Sequence, residues 1–239
     1  MVKMSDCFFY FTGFIILFLI IKDVFKQEKK EKLKKKSEEY YKKIHKVLLE
    51  NLVILLEIFE EENIEYSAQS GTLLGIVRNE GIIDKDDDID ITVMTDEYKR
   101  LKESIKNKND LYDKFHDKGL HLYLTSGSFL TEDIVKVVKL NENGDYSNNN
   151  IFIDIMETKE FNGRVIQGNW YHRWLWEDYW FYKEEFYPLK KGKLNGININ
   201  IPNNPIPVLE RFYGDCSEDK CWKIPLGEEG HHQDEINLD

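Results

Sequence analysis

From Ile44 the apolar residues Val47, Leu48, Leu52, Leu55, Leu56 and Phe59 recur at the spacing of one helical face. Residues 26–62 contain neither Gly nor Pro and are rich in strong helix formers, which predicts a long helix. Its first half, "KQEKKEKLKKKSEEYY", is almost wholly polar and reads as a solvated stalk; its second half should pack on a domain beginning near Asn63. Beyond that point the period changes. "IEYSAQSG" predicts a short strand entering a turn, "TLLGIVRNE" a helix start, and "EYKRLKESIKNK" a helix. "DIDITVM" alternates strictly, which predicts a strand with Ile89, Ile91 and Val93 on one face and Asp88 and Asp90 on the other. "LHLYLTSG", "DIVKVVKLN" and "NIFIDIME" are further strand candidates, with the polar "NENGDYSNNN" as a hairpin loop between the last two. Helices and strands mixed in this order predict an α/β domain with a mixed sheet flanked by helices.

The opposite pattern occurs at the start. "CFFYFTGFIILFLII", Cys7 to Ile21, is uncharged and apolar on every face. It is short of the ~20 residues a spanning helix prefers, but Val24 and Phe25 extend it. No small-residue cleavage site follows, so the expectation is an uncleaved anchor rather than a removed signal peptide. The chain therefore divides into a transmembrane anchor (1–25), a charged stalk and packing helix (26–62), a mixed α/β domain (63–225) and a polar tail (226–239). The expectation is a single-pass membrane protein. The lysines following the run favour a cytosolic body, whereas a Cys216–Cys221 disulfide would favour the lumen. That cysteine pair reads equally as two free thiols.

Charge narrows the partners. The 239 residues carry a formal net charge of −11. Nucleic-acid binding leans on Lys and Arg neutralising phosphates, so a nucleic-acid partner is not expected. A small phosphate compound remains compatible through a local cation.

The strongest local signal is "SGTLLGIVRNEGIIDKDDDIDITV", Ser70 to Val93, where Asp84, Asp86, Asp87, Asp88 and Asp90 crowd together. Such a cluster needs a counter-charge. Asp88 and Asp90 project from the same strand face, roughly 6–7 Å apart along the strand. Hard carboxylate oxygens held this way suit Mg²⁺ or Mn²⁺. A solvated acidic loop is the bland alternative. Against it stands the upstream turn of Ser70, Gly71 and Thr72, whose small residues let backbone N–H groups approach a phosphate at a helix N-terminus. Arg78 adds a permanent cation suited to phosphate. Asp154, isolated in the apolar "IFIDIM", is the candidate third carboxylate, to complete the metal shell or take a proton. Lys139 is a further candidate phosphate contact. The aromatic-dense stretch Trp170–Leu189 is expected to be core, with a platform for a base or sugar as the alternative.

The quoted segment resembles the signature of the LicD/fukutin-type phosphotransferases, within the polymerase-β-like nucleotidyltransferase superfamily: a Gly-Thr-Leu-Leu-Gly turn, an Arg, and a run of Asp ending in Asp-Ile-Asp. "FYPLKKGKLNGININIPNNPIPVLERFYGD" resembles that family's C-terminal segment. The resemblance implies a nucleotidyltransferase-like fold over roughly residues 63–225. It also implies transfer of a phosphorylated group, such as phosphocholine or ribitol phosphate, from a CDP-linked donor to a glycan hydroxyl. The resemblance further implies the Golgi or another secretory-pathway membrane as the location. Carried over by position, Gly71 and Thr72 hold donor phosphate, Asp88, Asp90 and Asp154 bind metal, and Asp86 supports the metal shell. Where the family often has Pro-Trp before the acidic run, this chain has Asp84 and Lys85. Two other readings stay open: transfer of a nucleoside monophosphate, and a catalytically idle membrane adaptor that keeps the fold.

Overall fold

The computed structural model describes residues 37–125, 134–141, 143 and 151–214. The apolar run at 7–21, residues 142 and 144–150 of the hairpin loop, Cys216, Cys221 and the polar tail lie outside the described residues. Among the described residues no helix is long and apolar enough to cross a membrane. The chain divides into two units, Met1–Lys43 and Ile44–Asp239; the second carries the fold described here.

Helix α1, described over 37–61, follows the predicted stripe. Ile44, Leu48, Leu52, Leu55, Ile58 and Phe59 are fully buried, while Val47 and Leu56 lie half-buried at the margins of the face. Burying each such large side chain contributes about 1.5–3 kcal/mol, so this face anchors the helix. The sheet follows: β1 (Tyr66–Ala68), β2 (Asp88–Met94), β3 (Leu120–Leu124), β4 (Val135–Lys139) and β5 (Phe152–Phe161) lie in the order β1-β2-β5-β4-β3. The central pair β2–β5 is parallel, and β1–β2, β5–β4 and β4–β3 are antiparallel. The ten-residue β5 continues past β4 and pairs with β6 (Arg164–Gln167), which in turn pairs with β7 (Trp180–Tyr182).

One face of this sheet is apolar. Ile89, Ile91 and Val93 of β2, Ile153 and Ile155 of β5, Val135 and Val137 of β4, and Leu120 and Leu122 of β3 are all buried. A helical layer of α1, α3 (Thr95–Asn107) and α4 (Asp110–Asp117) is laced together by ion pairs of Arg100 and Lys114 to Glu62 and of Lys118 to Glu61. Helix α2 (Ser70–Asn79) follows β1, and the hairpin β8 (Lys190–Leu194)–β9 (Ile197–Ile201) packs beside it. Gly75 allows this turn, because a Cβ there would lie 2.4 Å from the Gly81 carbonyl. Asn195, at the hairpin tip, accepts the Ile82 amide at 2.9 Å and steadies the loop leading to the acidic run.

The aromatic stretch is only partly core. It contains α5 (Trp170–Leu175), β7 and α6 (Lys183–Phe186). Tyr179, Phe181 and Phe186 are buried, whereas Trp170, Trp174, Leu175 and Tyr182 are exposed. Helix α7 (Ile206–Tyr213) closes the described chain and buries Val208, Leu209 and Tyr213.

Candidate active site

The alternation in "DIDITVM" does what its period requires: Ile89 and Ile91 point into the apolar layer and Asp88 and Asp90 emerge from the other face. Register then adds the third acid. Asp90 pairs directly with Asp154 across the parallel β2–β5 ladder, and Asp154 pairs directly with Lys136 across β5–β4. Directly paired residues project to the same side of a sheet. Asp90, Asp154 and Lys136 thus form a row over three neighbouring strands, with Asp88 one pleat along. Carboxylate oxygens of Asp88, Asp90 and Asp154 come within 4.8 Å of one another; Asp86, Asp87 and Asp88 form a second such group sharing Asp88. Among the described residues these are the groups able to hold a metal, and neither contains a histidine.

Helix α2 is tied to this row at its start. The Asp90 amide donates to Thr72 Oγ1 at 2.8 Å, and the Gln69 amide donates to the Asp90 carbonyl at 3.1 Å. Ser70 adopts φ 48° and its amide donates to the Tyr179 hydroxyl at 2.8 Å. Gly71 is needed for close approach, because a Cβ there would sit 3.0 Å from Asp86 Oδ2. The amides of Gly71 and Thr72 belong to the first helical turn, which has no intrahelical acceptors. The loop bearing Asp86 is held from the helical layer, where His45 Nε2 donates to the Asp86 carbonyl at 2.8 Å.

The electrostatics show the strain of this crowding. Burial, then Asp88 and Asp87, push the Asp86 carboxyl up to about 8. Burial first, and then Asp88, Asp154 and Asp86, hold Asp90 well above the carboxylate range, with Lys136 opposing. Burial also raises Asp154, against the pull of Lys136. Lys136 Nζ donates to both oxygens of Asp154, at 2.6 and 2.9 Å, and lies 3.2 Å from the Phe152 ring centre. The hard-oxygen donor set and its mutual repulsion fit a divalent cation, whose charge would relieve them.

The structure therefore brings together Ser70, Gly71, Thr72, Asp86, Asp88, Asp90 and Asp154. It does not bring Lys139, and that expectation is corrected by register. Lys139 lies three residues from Lys136, hence on the opposite face, where its ammonium pairs with Glu50 of α1 at 2.9 Å. Arg78 sits in the last turn of α2, about 9 Å further along the axis than Thr72. Sequence reasoning missed the roles of Lys136, His45 and Tyr179. A lysine amid the valines of "VKVVK" was the available signal for the first, but its partner depends on a hairpin register that the pattern does not encode.

Residues 63–204 match the family model described as LicD/FKTN/FKRP, nucleotidyltransferase domain. The chain belongs to this family. Two curated relatives are uncharacterized proteins of Rickettsia prowazekii (strain Madrid E), 32% identical over 158 residues, and Rickettsia typhi (strain ATCC VR-144 / Wilmington), 31% identical over 158 residues. Each alignment covers 66% of this chain, and 50% and 42% of the two relatives, so the chain spans about half the length of the curated relatives it matches. Among solved structures, ANT(2")-Ia in complex with adenylyl-2"-tobramycin is similar at a TM-score of 0.36 and 10% identity, over 63% of this chain and 66% of that one.

Proposed function

We propose that this LicD-type chain is a metal-dependent phosphotransferase. It moves a phosphorylated group, phosphocholine or an alditol phosphate, from a CDP-linked donor onto a sugar hydroxyl of a glycan. The observation that carries the reading is the convergence of Asp88, Asp90 and Asp154 on one sheet face beside the first turn of α2. Mg²⁺ is commonly held by one or two carboxylates plus substrate phosphates, and Mn²⁺ accepts similar oxygen donors. Held by Asp88, Asp90 and Asp154, such an ion would supply positive charge to the transferring phosphoryl group.

The chain's own residues supply position. The first-turn amides of Gly71 and Thr72, with the helix dipole behind them, offer a seat for the donor's diphosphate. Thr72 locks that turn to β2, so seat and carboxylates keep a fixed spacing. The glycan hydroxyl oxygen forms a new bond to the distal phosphorus of the diphosphate. The bond from that phosphorus to the bridging oxygen breaks, CMP leaves with the electron pair, and the hydroxyl proton passes to a cluster carboxylate. Membrane attachment through the apolar run at 7–21 belongs to the same proposal and rests on that run alone; a secretory-pathway membrane is carried over from the family resemblance.

The test is product analysis. The full chain is incubated with Mn²⁺ and CDP-choline, CDP-ribitol or CDP-glycerol in the presence of glycan acceptors. CMP and an acceptor phosphodiester are expected from one donor, with CMP release lost in Asp88→Ala. The family description favours one competing reading, transfer of a nucleoside monophosphate, which would instead yield pyrophosphate from a nucleoside triphosphate. Pyrophosphate without CMP, or no product from any donor, overturns the phosphotransferase reading.

A further inference from the structure

Lys136 places its ammonium inside the carboxylate row, on Asp154. Its ammonium bridges both oxygens of Asp154, and the two side chains are only 13% and 9% exposed. The Phe152 ring beneath the ammonium, 3.2 Å from its centre, holds it on the site face of the sheet. A cation entering the group of Asp88, Asp90 and Asp154 would therefore share Asp154 with a charge already seated on it. Two cations on one buried carboxylate repel strongly.

We propose that Lys136 couples metal binding to donor binding: its ammonium holds Asp154 until a metal–diphosphate complex arrives, then transfers to a phosphate oxygen and yields a carboxylate oxygen to the metal. This rests on the phosphotransferase reading and adds a residue that makes the site discriminate metal with diphosphate from metal alone. Formal charge supports the direction of the effect. With Asp88, Asp90 and Asp154 all ionised the row carries −3; the Lys136 ammonium reduces this to −2 and so weakens the attraction for a dication alone. A diphosphate brings the anionic oxygens that the displaced ammonium needs. Lysine suits the exchange, being a compact point charge on a flexible stem, whereas a guanidinium fork would stay locked on the carboxylate.

The experiment is calorimetric titration of the full chain with Mn²⁺, with and without CDP, for the wild type, Lys136→Met and Lys136→Gln. Wild type should bind Mn²⁺ weakly alone and at least ~10-fold more tightly with CDP present. Lys136→Met should bind Mn²⁺ alone at least ~10-fold more tightly than wild type, because a repelling charge has gone. CDP should then add little. Lys136→Gln keeps a hydrogen-bond donor to Asp154 and should show the same tightening, so the comparison survives if the methionine variant fails to fold. Unchanged or weaker Mn²⁺ binding in the folded variant, with the CDP enhancement retained, overturns the coupling while leaving the phosphotransferase reading intact. Wild type binding neither Mn²⁺ nor CDP overturns both.

Discussion

Asp90→Asn should make the protein more stable, not less, when divalent ions are removed at neutral pH. Asp90 stands between Asp88 and Asp154, with ligand oxygens within 4.8 Å. At an effective dielectric of about 20, each like-charge pair at that separation costs about 3.5 kcal/mol, or about 7 kcal/mol for the two. Lys136 offsets roughly half of this. Proton uptake limits what remains, since at pH 7.5 a free Asp carboxyl near 3.9 can be protonated for about 5 kcal/mol. The expected gain is therefore about 2–4 kcal/mol.

The pH dependence has a definite sign. Asp90 is an acid whose carboxyl is raised in the fold, so the folded state binds its proton more firmly than the unfolded chain. Stability then falls as pH rises from about 4 upward through the folded value, and the asparagine variant escapes this loss. Thermal denaturation in EDTA at pH 7.5 should show the variant melting about 10 °C above wild type, a figure scaled from typical domains of this size. At pH 4 the gap should close. Saturating Mn²⁺ should raise the wild type by mass action, about 2.7 kcal/mol at a hundredfold excess over Kd, and move the variant little. A variant less stable than wild type in EDTA at pH 7.5, or one that responds to Mn²⁺ as wild type does, would refute the reasoning.

Thr72→Val should destabilise the domain by about 1–3 kcal/mol in urea denaturation, because the Asp90 amide loses its acceptor. Thr72→Ser should restore most of the loss, and full stability in the valine variant would break the proposed lock between α2 and β2. Asp86→Asn should flatten the decline in EDTA stability between pH 4 and 8, since Asp86 is pushed up to about 8; an unchanged pH profile would remove Asp86 from the electrostatic account. Lys139→Ala should leave CMP release within twofold of wild type and stability within about 1 kcal/mol, because Lys139 makes an exposed pair with Glu50; a large loss of activity would reinstate it as a phosphate contact.

Parity and register separate what could be read along the chain from what could not. In "DIDITVM" the period of two is a local property, so the placement of Asp88 and Asp90 on the face opposite Ile89 and Ile91 follows from the residues alone. The placement of Asp154 beside Asp90 does not. An acid in an apolar strand signals that something must compensate it, but only pairing across β2–β5 says what. Lys136 and Lys139 show the cost of lacking register. Each is a lysine in the same five-residue strand, yet one meets Asp154 and the other faces α1, and a single step along the strand exchanges them. The hairpin β8–β9 was missed for a different reason: "KKGKL" and "ININI" are short and half polar, although Asn195-Gly196 between them is a strong two-residue turn signal. That turn bears on the site, since Asn195 steadies the loop entering the acidic run. The candidate site was thus visible as residue types, whereas the contacts that position it join distant segments: His45 on Asp86, Thr72 on Asp90, and Lys136 on Asp154. If those three contacts set the site, substitutions at them should alter metal and donor binding while Asp88, Asp90 and Asp154 themselves stay unchanged.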